Sequence, residues 1–201
     1  MYSKQIPFFS PWGPRYKKNS PLIKEDDLEV KTLEEIRLLF DGIKSKGYSV
    51  DFLLMPADFY GTNINNLSPP FVREYFACLR TFAKERLDDV CTLSVRPWSA
   101  FRVEYVTEYE TLRQEIEKNP NDYFSDEQFE EALKTARVFN PKNAYASAWN
   151  YCVERVVEAA IIKKLYSPIK LSLVRKEKDI LDGPLKRLYV IQNKAPWLGG
   201  E

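Results

Sequence analysis

The chain has 201 residues, 44% of them hydrophobic and 14% aromatic, with 30 basic and 29 acidic side chains that leave a formal charge of +1. That size suits one domain with a substantial core, and so small a net charge excludes a global field drawing the protein onto nucleic acid or an anionic membrane. The absence of histidine excludes Ser-His-Asp and Cys-His catalysis and histidine-ligated metal centres.

The three cysteines, Cys78, Cys91 and Cys152, are unclustered, so buried free thiols are expected rather than disulfides or zinc. The opening residues lack the charged region and apolar run of a signal peptide, and no apolar run reaches 18 residues, so a cytoplasmic protein with no membrane partner is expected.

In chain order, Ile6–Phe9 reads as a short buried first strand, running into a loop at Pro11, Gly13 and Pro14. Arg15–Val30 is polar and reads as a surface connection. Thr32 and Glu35 match a capping box, and Leu33, Ile36, Phe40 and Ile43 repeat on one helical face before Gly47. Val50–Met55 is a nearly uninterrupted apolar strand, the pattern of a parallel strand covered on both faces. Ser68 and Pro69 open a second helix, expected to reach Leu87, and Val90–Val95 reads as a third strand. Alternating strands and helices of this kind predict a small parallel sheet.

Further helices are predicted over Thr107–Lys118 and Ser125–Phe139, with capping boxes at Thr107/Glu110 and Ser125/Gln128, and over Ala144–Leu165. Ile169–Val174 and Arg187–Ile191 are two terminal strand candidates separated by an Asp182-Gly183-Pro184 turn. The closing Ala195–Gly199 segment reads as a tail that docks Trp197. The expected architecture is a single α/β domain over 1–201: a Rossmann-like three-layer fold with a small parallel sheet, extra C-terminal helices and a terminal strand pair.

Ligands in open parallel sheets bind beyond the carboxyl ends of the strands. That rule selects Ser10–Tyr16 after the first strand and Pro56–Asn63 after the second, with Ser10, Trp12, Asp58 and Tyr60 as candidate site residues. The plainer readings are a turn serine and a helix-cap carboxylate. Neither segment holds a Walker loop or a dinucleotide glycine fingerprint. Arg73, Arg80 and Lys84 fall within about 40° of one another on the second helix. They form a basic stripe able to track phosphates, or a solvated face balanced by Glu74 and Glu85. Tyr151, Glu154 and Glu158 return to one side of the long helix, within roughly 60°. A tyrosine beside a carboxylate can hold an amino group and move a proton; alternatively Tyr151 packs in the core and the glutamates pair with Arg155 or Lys163. The acidic loop residues Asp26, Asp27 and Glu29 have no metal-ligand spacing.

Together these positions resemble the tRNA-dependent cyclodipeptide synthases, whose Rossmann-like domain is related to class I aminoacyl-tRNA synthetases. Ser10-Pro11-Trp12-Gly13-Pro14-Arg15-Tyr16 is similar to the serine segment ending that family's first strand. Leu53–Asp58 and the basic helix resemble its second strand and the helix after it, and Tyr151 with Glu154 or Glu158 its later tyrosine and glutamate. The chain differs in having Phe8 where the family carries glycine, and Arg155 four residues after Tyr151. The resemblance implies acyl transfer without a cofactor or metal. Ser10 would accept an aminoacyl group, and Tyr151 with a glutamate would anchor its amino group. Tyr189 would be the C-terminal tyrosine, and aminoacyl-tRNA would lie on Arg73, Arg80 and Lys84, with no DNA partner. The element order is also like that of isonitrile synthases, which modify a free amino acid. A non-catalytic nucleotide- or RNA-binding protein is the competing class.

Overall fold

The computed structural model describes residues 4–14, 20–166, 168–172 and 186–189. Arg15 and Tyr16, the Asp182-Gly183-Pro184 turn and the Ala195–Gly199 tail lie outside the described residues. The strands are β1 (Gln5–Trp12), β2 (Ser49–Pro56), β3 (Thr92–Val95), β4 (Ile169–Ser172) and β5 (Lys186–Tyr189). They form one sheet of order β3-β2-β1-β4-β5, and every neighbouring pair is parallel.

The helices are α1 (Leu28–Lys44), α2 (Pro69–Leu87), α3 (Trp98–Glu104), α4 (Val106–Lys118), α5 (Asp126–Phe139) and α6 (Ala144–Tyr166). The chain steps outward through β1, α1, β2, α2 and β3, then crosses back through α3–α6 to lay β4 against the other side of β1. The β1–β4 boundary is therefore the topological switch point of a Rossmann-like three-layer fold.

Residue alternation along the strands sorts the core into two layers. Phe8, Trp12, Phe52 and Leu54 meet Val30, Leu33, Ile36 and Phe40 of α1 and Val72, Tyr75 and Leu79 of α2. Phe9, Leu53 and Met55 point the opposite way, towards Val153, Val157 and Ile161 of α6 and Trp98 and Phe101 of α3.

Several boundaries differ from those read in the sequence. β1 continues through Pro11 and Trp12, pairing Ser10 with Leu54 and Trp12 with Pro56, so Ser10 lies inside the strand rather than after it. Pro7 and Pro11 do not break the register, because, four residues apart, both lack the N–H on the same side of the strand. α1 begins at Leu28, not Thr32; Val30 and Glu29 are buried, and the Thr32 hydroxyl donates to the Leu28 carbonyl at 2.7 Å. The Thr32/Glu35 pattern is thus mid-helical, with the hydroxyl satisfied by its own preceding turn. α4 likewise starts at Val106 with no side-chain cap, because α3, a helix missed in the sequence, feeds into it through Tyr105. Ser68 and Ser125 do cap α2 and α5, the latter in a complete capping box with Gln128. Of the cysteines, only Cys152 is buried; Cys78 and Cys91 are half-buried.

Candidate functional site

The carboxyl end of β2 carries the chain into a helical turn at Asp58 and then a five-residue π-helix, Tyr60–Ile64. π-Helical segments are rare and concentrate at functional positions. Gly61 is required within it, because a Cβ there would meet Pro14 Cγ at 2.9 Å and Val72 Cγ2 at 3.0 Å. The turn sits against α6 and delivers Tyr60 into the layer between that helix and the sheet.

There the Tyr60 hydroxyl donates to Glu158 Oε2 at 2.9 Å, and Arg155 donates to Glu158 Oε1 at 2.5 Å. Tyr151, one turn earlier on α6, packs edge-on against the Tyr60 ring with centroids 5.8 Å apart. Burial first, and the Glu158 charge second, hold the Tyr60 phenol well above its ordinary range, so it is a fixed proton donor at neutral pH.

Glu154, one turn from Glu158, belongs to a different group. It accepts from Trp98 Nε1 at 2.8 Å and from the Tyr109 hydroxyl, with Arg102 Nε at 3.7 Å and Arg113 Nη1 at 3.6 Å. The Arg102 guanidinium is stacked between Phe59 and Tyr109, 3.8 and 4.4 Å from the ring centroids. Burial and the bond to Glu154 push the Tyr109 phenol up. Every partner of Glu154 comes from α3 or α4, which makes it the polar pin of the helical layer.

Asp58 caps α3 from a distance: its Oδ1 accepts the Ser99 backbone N–H at 3.1 Å and its Oδ2 accepts the Ser99 hydroxyl. One of the orphan backbone donors at that helix start is satisfied this way, and the Ser99 hydroxyl adds a second bond. Trp12 is fully buried in the α1–α2 layer. Ser10 is also fully buried; its hydroxyl donates to the Leu171 carbonyl at 3.4 Å, across the switch point to β4. By alternation with Phe8 and Trp12, Ser10 projects into the α1–α2 layer, whereas Tyr60, Tyr151, Glu154 and Glu158 occupy the α6 layer. The sheet separates the serine from the tyrosines and glutamates that the sequence grouped with it. Tyr189 ends β5, in register with Ser172. Arg73, Arg80 and Lys84 are exposed on α2 and form no ion pair with any described residue; Glu85 pairs with Arg86 instead.

Sequence reasoning missed the partners of Glu154. Of the two partners the sequence offered for the glutamates, Arg155 and Lys163, Arg155 is the counter-ion of Glu158. Trp98 and Tyr109 lie far from Glu154 in sequence, and only the unrecognised α3 brings them to it. Lys170, 3% exposed in β4, was read only as part of a terminal strand candidate.

Among the described residues, no helix is long and apolar enough to cross a membrane. No family model matches the chain, and no curated protein does. Among solved structures, the crystal structure of PvcA from Pseudomonas aeruginosa is similar, with a TM-score of 0.66 over 98% of this chain and 74% of that one, at 14% identity. A likeness at that identity carries the architecture alone: the chain shares the fold of PvcA.

Proposed function

We propose that the protein is an enzyme acting on an α-amino acid or aminoacyl group, which it holds by the ammonium at Glu158, Tyr60 and Tyr151. The carrying observation is the buried Glu158, bonded to Tyr60 and Arg155 beside the π-helix that follows β2. A ligand ammonium that displaces Arg155 from Glu158 exchanges one cation for another, so the buried carboxylate is never left uncompensated. Phe9, Leu53, Met55, Val153 and Val157 make the surroundings of the same layer apolar.

The aminoacyl-transfer form of this reading adds Ser10 as acceptor and the α2 stripe as a contact for tRNA. Arg73, Arg80 and Lys84, exposed and without an ion pair among the described residues, favour it. The burial of Ser10 on the opposite face weighs against it, since acylation would require β1 and β4 to part. The α6-layer anchor therefore comes first.

Titration calorimetry with L-phenylalanine and with 3-phenylpropanoate, which lacks the ammonium, tests it. Wild-type protein should prefer phenylalanine, and Glu158→Gln should erase that preference, with a loss of about thirtyfold or more. Equal binding of both ligands by the wild type would refute the anchor. Acid-stable label transferred from aminoacyl-tRNA to the wild type, but not to Ser10→Ala, would instead establish the serine route.

A further inference from the structure

α5 and α6 meet at a tight corner, and that corner holds an open cleft of about 510 Å³. Small-ligand sites usually enclose roughly 300–1,000 Å³. The walls come from the end of α5, the turn Pro141–Asn143 and the first turn of α6. Hydrogen bonds brace the corner. The Asn140 side-chain amide donates to the Ser147 hydroxyl at 2.9 Å, and the Asn143 backbone N–H donates to the Asn140 carbonyl at 3.0 Å.

Two cations, Arg137 and Lys142, line the cleft, and among the described residues no carboxylate does. Both are exposed, and neither side chain has an ion pair or hydrogen bond with a described residue. The nearby Lys134, by contrast, is answered on its own helix by Glu131. Unanswered cations around one concavity concentrate positive potential there and draw in an anion.

Tyr145 lines the same cleft and is 65% exposed. Phe129 meets its ring edge-on, with centroids 5.1 Å apart, and Phe129 itself packs against Trp149. The tyrosine ring is thus held in place while most of it faces solvent. Every nucleobase has a π-face that such a ring can take, and the adjoining cations suit its phosphates. We infer that the cleft binds a nucleoside phosphate, with the phosphates on Arg137 and Lys142 and the base stacked on Tyr145. Tyr145 and Glu158 lie ~20 Å apart along α6, so this site stands or falls independently of the amino-group anchor.

Calorimetry on the full chain with ADP, adenosine and pyrophosphate tests the assignment. ADP should bind more tightly than either fragment, because only ADP engages both the cations and the ring. Replacing Arg137→Gln and Lys142→Gln together should weaken ADP about tenfold or more, down to the affinity of adenosine. Tyr145→Ser should weaken ADP about tenfold and leave pyrophosphate unchanged. All three side chains are exposed, so these variants should keep the fold. Wild-type protein that binds no ADP overturns the inference. Pyrophosphate binding as tightly as ADP also overturns it, since that result describes a plain anion site. ADP affinity that survives the Arg137 and Lys142 changes but falls with Arg73→Gln, Arg80→Gln and Lys84→Gln moves the phosphates to α2 and overturns it too. So does binding of a single-stranded RNA oligomer by a protein that ignores ADP.

Discussion

Replacing Glu154 by glutamine keeps the side chain's shape and removes its charge, which separates a structural pin from a catalytic group. The carboxylate is fully buried and meets four donors: Trp98, Tyr109, Arg102 and Arg113. Removing one partner from such a buried network costs about 3–5 kcal/mol, because the remaining charges lose their compensation. With a urea slope of about 2 kcal/mol per molar for a chain of this size, the midpoint should fall by roughly 2 M. Trp98→Phe removes a single bond to the same carboxylate and should cost about 1.5–3 kcal/mol. The double variant should be less destabilised than the sum, since both changes act on one network. Urea denaturation followed by far-UV circular dichroism reads all three. A Glu154→Gln midpoint within experimental error of wild type would refute the pin, and loss of activity at unchanged stability would return Glu154 to the reaction.

Two more outcomes follow from the packing. Gly61→Ala drives a Cβ against Pro14 and Val72, at 2.9 and 3.0 Å, and should destabilise by about 1–3 kcal/mol in the same urea assay; an unchanged midpoint would show that the π-helix yields without cost. Burial pushes the Cys91 and Cys152 thiols up to about 12 from the ordinary 9.0, so neither should react with Ellman's reagent in the native state at about pH 8. Because these folded-state values are raised, the stability the thiols contribute is complete below the unfolded value and declines as pH climbs towards the folded one; rapid native-state labelling of Cys152 would contradict its burial.

Much of the fold was legible because the strands and helices announce themselves by local means. The continuous apolar run of Val50–Met55 and the Ser68-Pro69 start of α2 state their structure within a few residues. So does the Ser125/Gln128 box. Thr32 and Thr107 misled because the same letters that cap a helix also sit comfortably inside one, and only tertiary burial upstream decides which. The site was less legible for a related reason. Helical spacing grouped Glu154 and Glu158 on α6 and offered Arg155 as a partner, but it carried no information on neighbours arriving from other elements. Trp98 and Tyr109 claim one glutamate, and Tyr60 with Arg155 claims the other. Ser10 was located along the chain but not across the sheet. Extending β1 by three residues placed it within the strand, where its burial and facing are set by alternation.

The strand order has a consequence for how the molecule assembles. β1 is the spine of the sheet, yet its two flanks are filled at very different moments. The β2 side is reached through a single helix, whereas the β4 side is closed by contacts such as Ser10 to Leu171, 161 residues apart. Loop-closure entropy favours the nearer partner, so β1, β2 and β3 with α1 and α2 can condense early while β1 still presents an open edge. Until β4 arrives, that unsatisfied ladder is the part of the molecule most open to pairing with another chain, and the long helical excursion between β3 and β4 sets how long the exposure lasts.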